Sequence, residues 1–172
     1  ENLVKRCEEV GLNCIAITEH NNIKGALAVK SIAPFMVIIA EEIKTNAGEI
    51  TGLFLTEEIP PGLTPEETVR QIKDQGGLVS LPHPFDRVGR SPLSNQAIKV
   101  LLPQIDIVEA FNARTTLQKD NAKAQQLIIE HGLLATAVSD AHTLGEIGRS
   151  YTRLPEFDGT PGLLTMMAAI TG

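Results

Sequence analysis

Histidines and acids in this chain repeatedly stand directly behind short apolar runs. His20 follows Cys14-Ile15-Ala16-Ile17, Glu41 and Glu42 follow Phe35 to Ala40, and His83 follows Leu78 to Leu81. Glu109 follows Ile105 to Val108, and Asp140 and His142 follow Leu133 to Val138. A mixed set of imidazole nitrogens and carboxylate oxygens suits a divalent cation such as zinc, manganese or iron. Each piece alone has an ordinary reading. His83 between Pro82 and Pro84 could be a turn residue, Asp140-Ala141-His142 a cap, Glu41-Glu42 a solvated pair, and Glu109 a partner for a nearby loop. The recurrence at the same place after successive runs is what argues for a site, since isolated matches mislead. Glu49, a lone acid in a β-rich stretch, is expected at the surface. His131 beside Gly132 suits the negative end of a helix and is read as structural.

For these donors to meet, the apolar runs must be strands of one sheet, separated by helices. Leu3, Val4, Cys7 and Val10 recur at helical spacing and Gly11 closes that helix. A second helix is expected over Ile23 to Ala33, stopping before Pro34. Thr64, Pro65 and Glu67 form a capping-box pattern for a third, which ends near Gly76-Gly77. Further helices are expected over Asn95 to Leu102, Leu117 to Glu130 and Thr160 to Thr171, with residues 85–94 as loop. Glu49 to Leu55 is β-rich. Strand, polar residues, helix and strand in this rhythm predict an α/β sheet with parallel pairing and right-handed crossovers. In such folds the carboxyl ends of the strands converge on one face, which would gather the donors around one pocket.

The chain has 172 residues, no repeats and no linker, and reads as a single domain over 1–172. A chain of this size buries roughly 70% of its unfolded surface and needs no disulfide staple. Its two cysteines, Cys7 and Cys14, are read as reduced thiols. With no Trp and one Tyr, aliphatic side chains must build the core. The net charge of −6 and the lack of a Lys/Arg cluster argue against a face for duplex nucleic acid. No apolar run approaches the ~20 residues of a membrane span, and a cytoplasmic location is expected. There is no G-x-x-x-x-G-K-[ST] loop, no G-x-G-x-x-G after a strand and no G-x-S-x-G elbow, so nucleotide-fold and serine-hydrolase readings fare poorly.

The segments Ala16-Ile17-Thr18-Glu19-His20-Asn21, Leu81-Pro82-His83-Pro84-Phe85-Asp86 and Val138-Ser139-Asp140-Ala141-His142 resemble successive motifs of the PHP (polymerase and histidinol phosphatase) superfamily. The resemblance runs from Leu3 to about Tyr151 and implies a distorted (β/α)7 barrel, a TIM-like arrangement. It implies metal-dependent phosphoesterase activity with one to three divalent ions (Zn, Mn or Fe). By motif the metal ligands would be His20, Glu42, His83, Asp140 and His142, with Glu42 preferred over Glu41. Asp140 or Glu42 would bridge metals, and His20 or His142 would protonate the leaving group. Arg87, Arg90 and Arg114, in loops after strands, would hold the substrate phosphate. Glu109 and Asn112 resemble a Glu-x-x-Asn pocket segment, with Asn112 toward the substrate.

The expected partner is a small phosphorylated substrate or a nucleotide. Departures from the family pattern are Glu19 for the usual Asp, Glu49 where some members have His, and no strand carrying His-x-His. The chain begins directly in a helix, so the fold is expected to be incomplete at its N-terminus. An open sheet edge there invites a second copy of the chain and a homo-oligomer. The alternative reading is a catalytically impaired PHP-like module with a structural or regulatory role.

Overall fold

The computed structural model describes residues 1–155 and 158–162. Helix α1 (Asn2–Glu9) buries Val4 and Cys7 and leads into strand β1 (Cys14–His20). There follow α2 (Lys24–Lys30), β2 (Met36–Thr45), β3 (Gly48–Leu53), α3 (Pro65–Asp74), β4 (Leu78–Leu81) and α4 (Asn95–Leu101). After a 3-10 turn at Leu102–Gln104 come β5 (Ile107–Asn112), α5 (Gln118–His131) and β6 (Leu134–Val138), then a second 3-10 turn at Leu144–Glu146. Most of the helix expected over Thr160 to Thr171 lies outside the described residues. No helix among the described residues is long and apolar enough to cross a membrane. Cys7 and Cys14 are both free thiols.

Among the described residues the strands form one six-stranded sheet in chain order, β1 to β6. Three pairings are parallel, but β3 runs antiparallel to both β2 and β4, so the sheet is mixed and the expectation of parallel pairing is corrected. The cause is the length of the connection. Only Asn46 and Ala47 join β2 to β3, whereas a parallel crossover takes a dozen or more residues. Thr45 builds the turn: its hydroxyl donates to the Gly48 carbonyl at 2.6 Å and accepts from the Ala47 N–H at 3.1 Å. Gly48 has φ 126°, and a Cβ there would run into the backbone of Pro92 and Leu93.

The sheet is strongly curled. His20 ends β1 and His142 lies just beyond β6, so they belong to opposite edges, yet their ring centroids are 6.4 Å apart. In a flat sheet, strand spacings of about 4.8 Å would hold those edges about 24 Å apart. The edges therefore approach each other at the strand ends, as in a half-closed barrel. Residue alternation divides the two faces. In the β2–β3 register Glu42 faces Thr51 and Lys44 faces Glu49 on one side, while Ile43 pairs with Ile50 on the other. That second side carries the core, where Ile43, Ile50, Val69, Ile72, Val79, Leu101 and Val108 are packed together.

Helix α3 shows how local chemistry seats an element. The Thr64 hydroxyl accepts from the Glu67 N–H at 3.2 Å, and the Glu67 carboxylate accepts from the Thr64 N–H at 3.0 Å. Bonds from the backbone and hydroxyl of Thr64 hold the Glu67 carboxyl below its ordinary value of 4.5. We expect Thr64→Ala to cost about 1 kcal/mol in urea unfolding at neutral pH. A carboxyl with a lowered folded pKa stabilises fully above its ordinary value and loses that contribution as pH falls through the lowered one. The Thr64→Ala penalty should therefore shrink below pH ~4. A penalty that stays constant into acid would show that the Glu67 bond does not matter.

Candidate metal centre

His20, Glu42 and Glu49 each offer a ligand atom, and those atoms all lie within 4.8 Å of one another. The sheet register explains the meeting. His20 and Glu42 are partners across the parallel β1–β2 pair, and the tight β2–β3 hairpin folds Glu49 back onto the face that Glu42 occupies. Glu49, expected at the surface, is instead 9% exposed. It accepts from the Ser91 N–H at 3.3 Å and is 3.4 Å from the Lys44 ammonium. The signal that could have found it is the Thr45-Asn46-Ala47-Gly48 turn, because a two-residue hairpin sets the facing of every side chain in both strands.

Glu41 shows the same alternation in reverse. It points away from this group, fully buried, and accepts from the Ile59 N–H at 2.9 Å. Removal from water raises its pKa. Glu19 also turns elsewhere: its carboxylate accepts from the Gly25 N–H at 2.6 Å, and a Cβ at position 25 would collide with it.

His83 lies beside the group, 3% exposed. Its Nε2 is 3.2 Å from Glu42 and 3.8 Å from Glu49, while its Nδ1 has no hydrogen-bond partner among the described residues. Removal from water disfavours a charge on the ring. The bond to Glu42 and the fields of Glu109 and Glu42 outweigh that, so the His83 pKa is raised. A buried imidazole with one nitrogen unsatisfied, next to two carboxylates and a second imidazole, is a donor set that fits a divalent cation.

A supporting layer connects the remaining acids. Glu109 accepts from the His83 N–H at 2.8 Å and from the Asn112 amide at 2.9 Å. Its removal from water pushes its carboxyl up to about 7, against the pull of those two bonds. Asn112 is 2% exposed and ties Glu109 to Asp140, donating to the latter at 3.0 Å. The Asp140 carboxylate also pairs with the Arg90 guanidinium and lies 3.5 Å from His142 Nδ1.

His20, Glu42, Glu49, His83, Arg90, Arg114 and His142 all line one cavity of about 130 Å³, with Gly89 and Ser91 at its side. Acids, imidazoles and two arginines thus share one small space. Asp140 borders the cavity through Arg90. Arg87 is exposed and does not line it. Asp86 orders the intervening loops by accepting from the N–H groups of Val88 and Thr116, at 3.0 and 3.3 Å. Sequence reasoning gave no role to Glu146. Bonds from His142 and Thr143 hold its carboxyl below the usual range.

Residues 118–170 match the family model described as PHP-associated. An uncharacterized protein of Methanocaldococcus jannaschii is 42% identical over 115 residues, which is 65% of this chain and 65% of that protein. A second from the same organism is 38% identical over 124 residues, 70% of this chain and 52% of that protein. The chain therefore spans about half to two thirds of the length of these relatives. Among solved structures, endonuclease Q in complex with a duplex bearing an abasic lesion superposes with TM-score 0.74 at 15% identity, covering 99% of this chain and 51% of that one. A Bifidobacterium adolescentis protein assigned as a metal-dependent phosphoesterase gives TM-score 0.66 at 14% identity, covering 97% and 89%. A two-domain Bacteroides vulgatus protein containing a predicted PHP-like metal-dependent phosphoesterase gives 0.61 at 18%, covering 82% and 47%. At these identities the likeness to solved structures is one of fold.

If Glu49 is a ligand, Glu49→Ala and Glu42→Ala should each weaken Mn²⁺ binding at least about tenfold in calorimetric titration. His131→Ala, at the far end of a helix, should leave it unchanged. Wild-type affinity in the Glu49 variant would remove that residue from the centre.

Proposed function

We propose that this chain, a PHP-like domain, hydrolyses a phosphate ester with the help of one to three divalent ions of zinc, manganese or iron. The observation that carries the reading is the convergence of His20, Glu42, Glu49 and His83 on one cavity that Arg90 and Arg114 also line. In the proposal His20, Glu42, Glu49 and His83 hold metal, joined by Asp140 and His142 at the rim. A divalent ion bound there supplies Lewis acidity and makes water a competent nucleophile near neutral pH.

The chain's own groups do the rest. Arg90 and Arg114 orient the phosphate oxygens by charge-assisted hydrogen bonds. Of His20 and His142, whose rings stand 6.4 Å apart at the mouth, the one left free of metal delivers a proton to the leaving oxygen. Asn112 holds Asp140 in place from behind. Arg87 contributes to binding only where the substrate extends outside the cavity.

A cavity of about 130 Å³ favours a phosphoryl group with a small organic part, such as a small phosphorylated metabolite or a nucleotide end, over a duplex. The net charge of −6 supports the same choice. In the fuller proposal the curled sheet is part of a distorted (β/α)7 barrel and the protein works in the cytoplasm. One observation favours a second reading, an impaired regulatory module: Arg90 and Asp140 neutralise each other within the site.

The test is hydrolysis of p-nitrophenyl phosphate and bis-p-nitrophenyl phosphate with Mn²⁺ or Zn²⁺. We expect turnover that EDTA abolishes and that Glu42→Gln lowers at least about a hundredfold. Metal-bound protein that turns over neither ester would favour the regulatory module.

A further inference from the structure

We propose that Glu146 is a positioning residue that locks Arg114 to the His142 loop, so that the phosphate-holding and metal-holding sides of the cavity keep one relative geometry. The inference rests on the phosphoesterase reading above.

The loop after β6 is exposed along residues 141–145, yet the Glu146 side chain is only 15% exposed. Its carboxylate gathers bonds from two strand ends. From its own loop it accepts the His142 N–H at 2.9 Å, the Thr143 N–H at 3.0 Å and the Thr143 hydroxyl at 3.2 Å. From the loop after β5 the Arg114 guanidinium donates to both of its oxygens, each at 3.2 Å. Arg149 adds a looser contact at 3.6 Å. The backbone of Arg114 is fixed independently, because its N–H donates to the Asn112 side chain at 2.9 Å.

A capping box alone would need only the bonds within residues 142–146. Holding a guanidinium from another strand end at both carboxylate oxygens goes beyond that need. Both bonds come from the one nitrogen Nη1, so the contact tethers the guanidinium to this carboxylate at that nitrogen. It leaves that group lining the cavity together with His142, the residue whose backbone the same carboxylate holds. Glu146 does not line the cavity and acts through these two neighbours.

The test uses inorganic phosphate and Mn²⁺ as separate titrants on the intact protein, with thermal unfolding as a check on the fold. Arg114→Ala should weaken phosphate binding about ten- to a hundredfold, as expected for a lost charged hydrogen bond. Glu146→Gln keeps an oxygen to cap the loop but loses the charge that grips Arg114. It should weaken phosphate about three- to tenfold while leaving Mn²⁺ affinity within about twofold and the unfolding temperature near wild type. Glu146→Ala should weaken both titrants. The double variant Arg114→Ala, Glu146→Gln should bind phosphate no worse than Arg114→Ala alone, because the second change acts only through the first.

Additive losses, or tighter phosphate binding by Glu146→Gln, would overturn the proposal. The latter result would make Glu146 a competitor of the substrate for Arg114. A wild type that binds no phosphate would remove the phosphoesterase reading and this inference together, whereas binding without coupling would remove only the inference.

Discussion

Four carboxylates crowd one end of the curled sheet: Glu42, Glu49, Glu109 and Asp140, all largely enclosed. Left alone they would repel one another and pull water inward, because each charged group loses hydration as the sheet closes. The structure balances them with His83, Arg90, Lys44 and the Asn112 amide. Burial still leaves its mark: removal from water pushes the Glu109 carboxyl up to about 7, and His83 Nδ1 has no hydrogen-bond partner among the described residues. Enclosed carboxylates and imidazoles of this kind are donors that suit a divalent cation.

The backbone bears the same imprint. Positive φ values occur at Asn21 (54°), His83 (29°) and Asp140 (49°), each at the carboxyl end of a strand that feeds the cavity. Non-glycine residues adopt this region at a cost, and they keep it where surrounding contacts over-determine them. Here those contacts are visible. The Asn21 side chain accepts from the Lys44 N–H at 2.8 Å, the His83 N–H is held by Glu109, and Asp140 is held by Asn112 and Arg90. These contacts hold each turn from outside its own strand, and at His83 the holding group is itself one of the acids, Glu109.

Much of this was legible from local patterns. The capping box at Thr64 and Glu67 seats α3 as read, and the apolar runs before His20, Glu42, His83, Glu109 and Asp140 are strands or strand ends. The misreadings share one cause. Glu49 was assigned to the surface, and β3 was not recognised as an antiparallel insertion. The grip of the Glu146 carboxylate on Arg114, which ties two loops together, carries no signal in its own stretch of sequence. Each depends on which way a side chain faces once two distant segments pair.

The sequence by itself determined which residue types end the strands, where the helices start and stop, and that imidazoles and carboxylates recur at one pole of the fold, because these follow from nearest-neighbour chemistry and from periods of 2 and 3.6 residues. Only the tertiary structure decided which donors share a cavity. The curl that brings His20 to 6.4 Å from His142, the hairpin that turns Glu49 onto the face of Glu42, and the grip of Glu146 on Arg114 are contacts across strands. Their strength depends on distances that no local pattern encodes.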